Sequence, residues 1–137
     1  MTPGQPGQVS LARFHAAQTR SYDQALAEIR QGRKTSHWIW YVFPQLEGLG
    51  RSAAARAYAL RDLAETHAYL RDELLRQRYL EITRAVGQQI DSGVAVEDLL
   101  ASRIDALKLA SSLTLFQVAA DSLTQDRSEV ALWRRAG

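Results

Sequence analysis

The sequence of 137 residues contains no cysteine. Disulfide bonds, thiolate nucleophiles and cysteine-ligated zinc or iron–sulfur centres are therefore excluded, and nothing in the sequence points to an oxidising compartment. No secretory hydrophobic segment follows Met1 either. We therefore expect a cytoplasmic protein.

Long uncharged runs and a large excess of one charge are also missing. The longest stretches without a charged side chain, among them 35–46 and 109–120, contain twelve residues each, whereas a helix needs about 20 apolar residues to span a bilayer. Seventeen basic and fifteen acidic residues leave a net charge of +2, which is too small for the electrostatic footprint of a nucleic-acid-binding protein. We expect neither membrane insertion nor nucleic-acid binding.

Proline is scarce, and two of the three prolines lie within the first nine residues, together with two glycines. This composition predicts a disordered leader over residues 1–9. The other residues, 10–137, are predicted to form a single domain. Since 46% of the chain is apolar, a domain of this size can bury roughly 68% of its unfolded surface without disulfides or metals.

Helical spacing of apolar residues dominates the domain. The first helix is predicted to begin with Ser10 as its N-cap and to end at Gly32 in the left-handed conformation. Residues 35–43 are rich in aromatic and β-branched side chains, which favour a strand. However, no second segment alternates in a way that would pair with such a strand. We therefore predict a short helix over 35–43, capped by Thr35 or Ser36 and ended by Pro44.

The later elements are also predicted to be helices, which gives an all-α fold of about six to seven packed helices. Ser52 is the expected cap of the third helix, with a break near Asp62. The carboxylates Asp62, Glu65, Asp72 and Glu73 alternate with arginines and are interpreted as solvated faces. The remaining helices are predicted over Leu74–Gln89, Glu97–Ala101, Asp105–Ala120 and Asp126–Arg135.

Residues 36–52 form the most unusual segment. Four aromatic residues between Trp38 and Phe43 are too many for one helix face. The segment is therefore either a short helix buried at the centre of the fold or the wall of an aromatic pocket. His37 lies near a predicted helix N-terminus, where the dipole disfavours the charged imidazole. It is either a structural histidine or an acid or base.

Two further segments offer groups that suit an anion or a nucleophilic reaction. Residues 48–52 are either an ordinary glycine turn or a loop that directs amides and Arg51 toward an anion. Lys108 shares a helix face with Ser111 and Ser112. A lysine can activate a serine there, although buried serines bonded to the preceding turn beside an exposed lysine explain the same pattern. His15 and His67 have no ligand spacing with His37, so no metal site and no cofactor are predicted.

The segments SHWIWYVFPQLEGLGRS (36–52) and KLASSLTLF (108–116), with Leu11–Phe14 and Tyr58–Leu60, resemble a bacterial family of small uncharacterised proteins, some of which have been labelled calpastatin. The resemblance covers about residues 11–116. It implies an all-helical single domain and no established activity. This sequence departs from the family at Ala106, where an aspartate is usual, and after Phe116, where an aromatic residue and a glycine pair have no match. The motif positions are Ser36, His37, Trp38, Trp40, Phe43, Pro44, Gln45, Gly48, Leu49, Gly50, Ser52, Lys108, Leu109, Ser111, Ser112, Thr114, Leu115 and Phe116.

These observations favour a binding module with a polar and aromatic cleft for a small anionic ligand or a peptide. One alternative is a hydrolase that uses His37 as acid or base with Ser111 or Ser112. Another is a structural interaction protein without a ligand, and the sequence leaves the oligomeric state open. The predicted ligand-binding residues are Ser36, His37, Trp38, Trp40, Gln45, Gly48, Gly50, Arg51, Ser52, Lys108, Ser111, Ser112 and Thr114.

Overall fold

The structure, a computed structural model, describes the backbone of residues 10–136 and the side chains of residues 10–124. The predicted leader, 1–9, lies outside the described residues. The described chain is all-α, and its only extended pairing is a single parallel bridge between Leu46 and Leu60. Its helices are α1 (Ala12–Gln31), α2 (Ile39–Val42), α3 (Ala53–Ala57), α4 (Leu63–Arg71), α5 (Glu73–Asp91), α6 (Val96–Leu99) and α7 (Arg103–Ala136).

The helices enclose a core of aromatic rings. α1 packs against α5 and α2, while α4 packs against α5 and α7. Tyr69 contacts Phe14 edge-on at 5.2 Å between ring centroids and Phe116 at 5.1 Å. Tyr79 lies 4.2 Å from Phe116 and 5.6 Å from Phe43. These rings connect all the long helices, and edge-on contacts add to the stability gained from their burial.

The segment between α1 and α3 is helical over one turn only. α2 begins after Trp38 and ends before Phe43, so the predicted helix over 35–43 is wrong at its start. Thr35 and Ser36 do not cap it, because the helix begins after Trp38; their amides, and the hydroxyl of Ser36, donate to the side chain of Glu28 instead. Trp38 and Phe43 are buried, which agrees with the interpretation of this segment as buried at the centre of the fold.

The helix ends show which of the predicted capping residues act as caps. Gly32, with φ of 94°, ends α1, and the side chain of Ser52 caps α3 by accepting a hydrogen bond from the amide of Ala55 (3.0 Å). Both predictions are confirmed. Ser10 is not the N-cap of α1, because the helix begins one residue later, after Leu11. The short helix predicted over 97–101 lies at Val96–Leu99, and Ala101 has a φ of 59°, which ends it.

The C-terminal part of the chain is one helix. The predicted interruption between 120 and 126 is absent, because α7 continues from Arg103 to Ala136. No glycine or proline lies in this range, so no residue there opposes helix continuation. The long α7 therefore runs from the turn after α6 to the end of the described backbone.

Three of the carboxylates predicted to lie on solvated faces have structural roles instead. Asp62 and Asp72 cap α4 and α5 by accepting hydrogen bonds from the amides of Glu65 (2.9 Å) and Leu75 (3.1 Å). Glu65 is buried and paired with Arg13. A capping carboxylate lies three residues before the amide from which it accepts a hydrogen bond, and this spacing explains Asp62 and Asp72, whereas Glu65 is explained by its ion pair.

Candidate functional site

The segment that follows α1 is organised by one buried carboxylate, Glu28. Its Oε1 accepts hydrogen bonds from the amides of Thr35 (2.7 Å) and Ser36 (2.9 Å) and from the indole Nε1 of Trp38 (2.9 Å). Its Oε2 accepts from the hydroxyl of Ser36 and from the amide group of Gln24 (2.8 Å). The carboxylate therefore accepts five hydrogen bonds, and the four that come from residues 35–38 fix this segment against α1.

The same hydrogen bonds set the protonation state of Glu28. Burial acts to raise the pKa of its carboxyl, but the donors from Ser36, Thr35 and Trp38 outweigh burial and hold the pKa well below its ordinary value. Glu28 is therefore ionised in the folded protein at neutral pH, and its charge is balanced by oriented donors.

Two lysines meet at a second carboxylate, Asp105, in the first turn of α7. The Nζ of Lys34 lies 2.9 Å from Oδ2 of Asp105, and the Nζ of Lys108 lies 3.8 Å from Oδ1. Each ammonium also lies near an indole face, Lys34 at 5.2 Å from the Trp38 ring centre and Lys108 at 5.3 Å from that of Trp40. Cation–π contact at these distances stabilises a positive charge.

An open cleft of about 380 Å³ lies beside this cluster. One wall is the segment from Lys34 to His37, and the other is the turn from Leu100 to Ser102 with the start of α7. Ser102 fixes the second wall, because its hydroxyl accepts a hydrogen bond from the amide of Asp105 (3.2 Å). The cleft has the size of a small-molecule site.

The structure brings together one part of the predicted ligand-binding set. Ser36 and His37 line the cleft. Lys108 reaches Asp105, which lines the cleft too, and Trp40 supports Lys108. Trp38 is buried beneath Lys34. These five predicted residues surround one feature of the surface.

The predicted glycine loop has a structural role. Ser52 caps the five-residue α3, and Arg51 is exposed. At Gly50 a β-carbon would lie 2.5 Å from that of Ala55, so the glycine permits the loop to pack on α3. Gly48 has a φ of 92°, which favours glycine in the turn. The backbone carbonyl of Gln45 accepts a hydrogen bond from the amide of Leu60 (2.8 Å).

The serines of the 108–116 motif point elsewhere. Ser112 is fully buried, and its hydroxyl lies 3.1 Å from that of Tyr79, whose pKa is raised by burial. Ser111 is half-buried, and Thr114 is exposed and donates to the carbonyl of Ala110 (2.9 Å). The structural interpretation of this motif is only partly confirmed: Ser112 is buried, but its hydroxyl bonds to Tyr79 and not to the preceding turn, and Lys108 is half-buried rather than exposed.

The described part of the chain has neither a cluster of metal-ligating side chains nor a membrane-spanning helix. No group of three or more histidine, aspartate or glutamate side chains there is arranged to hold a metal ion. None of its helices is both long enough and apolar enough to cross a membrane.

Comparison with known proteins agrees with the motif resemblance. The model of a family described as "Protein of unknown function (DUF1810)" matches residues 8–133. The chain belongs to the DUF1810 family. The chain is also similar to the conserved hypothetical protein Rv1873 from Mycobacterium tuberculosis, with 45% sequence identity, a TM-score of 0.76, and coverage of 82% of this chain and 78% of that chain. A search of curated proteins finds no significant match.

Three residues of the cluster in this DUF1810 protein were not predicted from the sequence: Glu28, Lys34 and Asp105. Two signals could have found them. Glu28 lies three residues after Ala25, on the buried face of α1, where a carboxylate needs partners. Lys34 and Lys108 are the only lysines in the sequence, against fifteen arginines.

Proposed function

We propose that this protein is a binding module whose cleft takes a small ligand carrying a carboxylate or phosphate group. One observation carries the proposal. The two lysines of the chain, 74 positions apart, converge on a single carboxylate, Asp105, at the wall of the cleft. The local charge around Asp105, the choice of lysine at both positions and the rigidity of the cleft walls also support it.

The charges around Asp105 do not balance locally. Two ammonium groups share one carboxylate, which leaves one positive charge in excess at that point. The Lys34 ammonium is within hydrogen-bond distance of Asp105, whereas the 3.8 Å separation of Lys108 is longer than a hydrogen bond. The side chain of Lys108 is 24% exposed. Lys108 therefore has donors available for an incoming anion.

The choice of lysine at these two positions supports the proposal. Every other basic position outside the histidines is an arginine. Arginine presents a wide planar fork, whereas lysine presents a compact ammonium with three donors. Two compact cations fit around one carboxylate and still leave room for a second, external anion.

The walls of the cleft are held before any ligand arrives. Glu28 fixes residues 35–38 with four hydrogen bonds to that segment, and Ser102 fixes the start of α7. A site held in place loses little conformational entropy on binding, which favours affinity.

The alternative function as a hydrolase lacks comparable support. A nucleophile and its base need to approach within about 3.2 Å or one water. Within residues 10–124, the imidazole of His37 has no hydrogen-bond partner, and the hydroxyl of Ser112 is bonded to Tyr79 in the core. His37 is exposed on the cleft wall, where its imidazole offers a further hydrogen-bond donor to the ligand.

The proposal is tested by thermal unfolding in increasing inorganic phosphate, with chloride adjusted to hold the ionic strength constant. Binding to the folded state raises the melting temperature with the logarithm of phosphate concentration. In Lys108→Met, which keeps the aliphatic stem over Trp40, the rise should fall to less than half. Arg20→Met removes an exposed charge on α1 and should behave as the wild type. The same rise in all three proteins, or no rise in the wild type, would contradict the proposal.

A further inference from the structure

The long helix α7 has a second apolar face in addition to the face that packs on the core. Ile104, Leu107 and Val118 are 65%, 62% and 53% exposed. Ser111 and Leu115, both half-buried, lie between them at helical spacing. Steps of three or four residues keep all five on one side of the helix, over a length of about 21 Å from Ile104 to Val118. We name these five residues the α7 stripe.

Most core contacts of α7 lie on a different side, although Leu115 of the stripe also packs against the core. Leu109, Ser112, Phe116 and Ala119 are buried, so the apolar requirement of packing α7 on the domain is already met there. Nothing in residues 10–124 covers the exposed residues of the α7 stripe. An exposed row of large aliphatic side chains on a long helix is the usual form of a helix-packing surface.

The stripe is complementary to itself. When a second α7 lies antiparallel to the first with the two-fold axis at Ser111, Ile104 faces Val118 and Leu107 faces Leu115. Ser111 then faces its own counterpart. A small side chain at the crossing point allows two helices to approach closely, and such an arrangement closes after two copies.

Charges beside the stripe select the antiparallel arrangement. Arg103 and Asp121 are exposed and lie five turns apart along the same edge of the stripe. Gln117 holds Asp121 by donating to its Oδ1 (3.0 Å). In the antiparallel pair, Arg103 of each copy lies beside Asp121 of the other, which gives two ion pairs. In a parallel two-fold pair, the edges that carry Arg103 and Asp121 would lie on opposite sides of the seam, so neither ion pair would form.

We propose that the α7 stripe is the interface of a symmetric antiparallel homodimer. The occupant of the stripe is a second copy of this chain, because both the apolar pairs and the charged pairs are satisfied by the sequence of α7 itself. The inference does not rest on the proposed ligand, although Ile104 belongs both to the α7 stripe and to the lining of the cleft.

The first test is sedimentation equilibrium at protein concentrations up to about 1 mM. The wild type should associate to a dimer and no further. Leu107→Asp should lower the association constant more than tenfold, because it places a charge in the apolar row. Leu49→Asp is the matched control, since Leu49 is also 62% exposed but lies in a loop, and it should leave association unchanged. A monomeric wild type, or equal association in the two variants, would overturn the proposal.

The second test fixes the register by charge reversal. Arg103→Glu and Asp121→Arg should each weaken dimerisation several-fold, and the double variant should recover wild-type association, because the reversed charges again face each other. Both positions are exposed, so circular dichroism is expected to show an unchanged fold. If the double variant associates more weakly than either single variant, the antiparallel pairing is wrong.

The third test uses the absence of cysteine. Ser111→Cys introduces a single thiol at the proposed two-fold axis, where two helices in close contact come within the range of a disulfide. Mild oxidation at low protein concentration should give a disulfide-linked dimer at least tenfold faster than for Leu49→Cys. Equal rates for the two variants would contradict the proposed axis.

Discussion

Replacing Glu28 with glutamine tests the arrangement that holds the cleft wall. The variant keeps the shape of the side chain and removes its charge. The new amide nitrogen can take the place of Oε2, because the Ser36 hydroxyl and the Gln24 amide, which donate to that oxygen, are both able to reverse and accept. The three donors on Oε1 then remain, but they face a neutral carbonyl.

The expected loss follows from those three bonds. A hydrogen bond to a charged group contributes about 1 kcal/mol more than one to a neutral group, so Glu28→Gln should lower the free energy of unfolding by about 3 kcal/mol at pH 7. Urea unfolding followed by tryptophan fluorescence measures this loss. Glu47→Gln is a suitable control, because Glu47 is exposed and its replacement should change the stability by less than about 0.5 kcal/mol.

The pH dependence of the loss gives a second check. The pKa of Glu28 is lowered in the folded state from its ordinary 4.5, so its contribution is complete above pH 4.5 and is lost as the pH falls toward the folded-state pKa. The wild type should lose about 1.4 kcal/mol per pH unit through this group, and the variant should not. The difference between the two proteins should therefore shrink at pH 3. A loss below about 1 kcal/mol at pH 7, or a difference that does not change with pH, would refute the reasoning.

Three further predictions concern packing and charge. Trp38→Ala removes a buried indole and should lower the free energy of unfolding by ~3 to 5 kcal/mol; a loss below ~1 kcal/mol in urea would place Trp38 outside the core. Gly50→Ala should lose ~1 to 3 kcal/mol against the β-carbon of Ala55, whereas Gly87→Ala in α5 has open space and should gain ~0.5 to 1 kcal/mol; equal effects would contradict the packing. Asp105→Asn should lose ~3 kcal/mol because the buried Lys34 loses its partner, and phosphate should stabilise this variant more than the wild type; a smaller phosphate effect would count against the charge argument.

Most helices could be predicted from the sequence because their signals are local. The apolar spacing in α1 and α5 and the caps at Gly32 and Ser52 depend on residues within a few positions of one another. The burial of Trp38 was one of two alternatives, because four aromatic residues in six positions also fit the wall of a pocket.

The errors in the predicted helices have two sources, contacts between separate elements and ambiguous local patterns. α2 begins later than predicted. The residues before it are bonded to another helix, because the amides of Thr35 and Ser36 donate hydrogen bonds to Glu28 of α1. The roles of Asp62 and Asp72 as caps were obscured by the arginines around them, whose alternation with acids resembles a solvated face.

The candidate site was only partly predictable because its residues meet through contacts between separate elements. Lys108 and His37 were identified from motifs, but the residue that joins the two lysines, Asp105, acts through tertiary packing with Lys34. Ser112 carried the same motif signal as Lys108, yet it faces the core and pairs with Tyr79. A single sequence does not show which side of a helix with two apolar faces is buried.

The central claim, that an anion binds between the two lysines, can be observed directly because the chain contains only Lys34 and Lys108. Protein labelled with ¹⁵N-lysine should give two backbone amide signals in a proton–nitrogen correlation spectrum. We predict that inorganic phosphate at constant ionic strength shifts both signals along one saturating curve with a shared dissociation constant. Signals that stay in place, or that move linearly and equally with phosphate and with chloride, would contradict an anion site at Asp105.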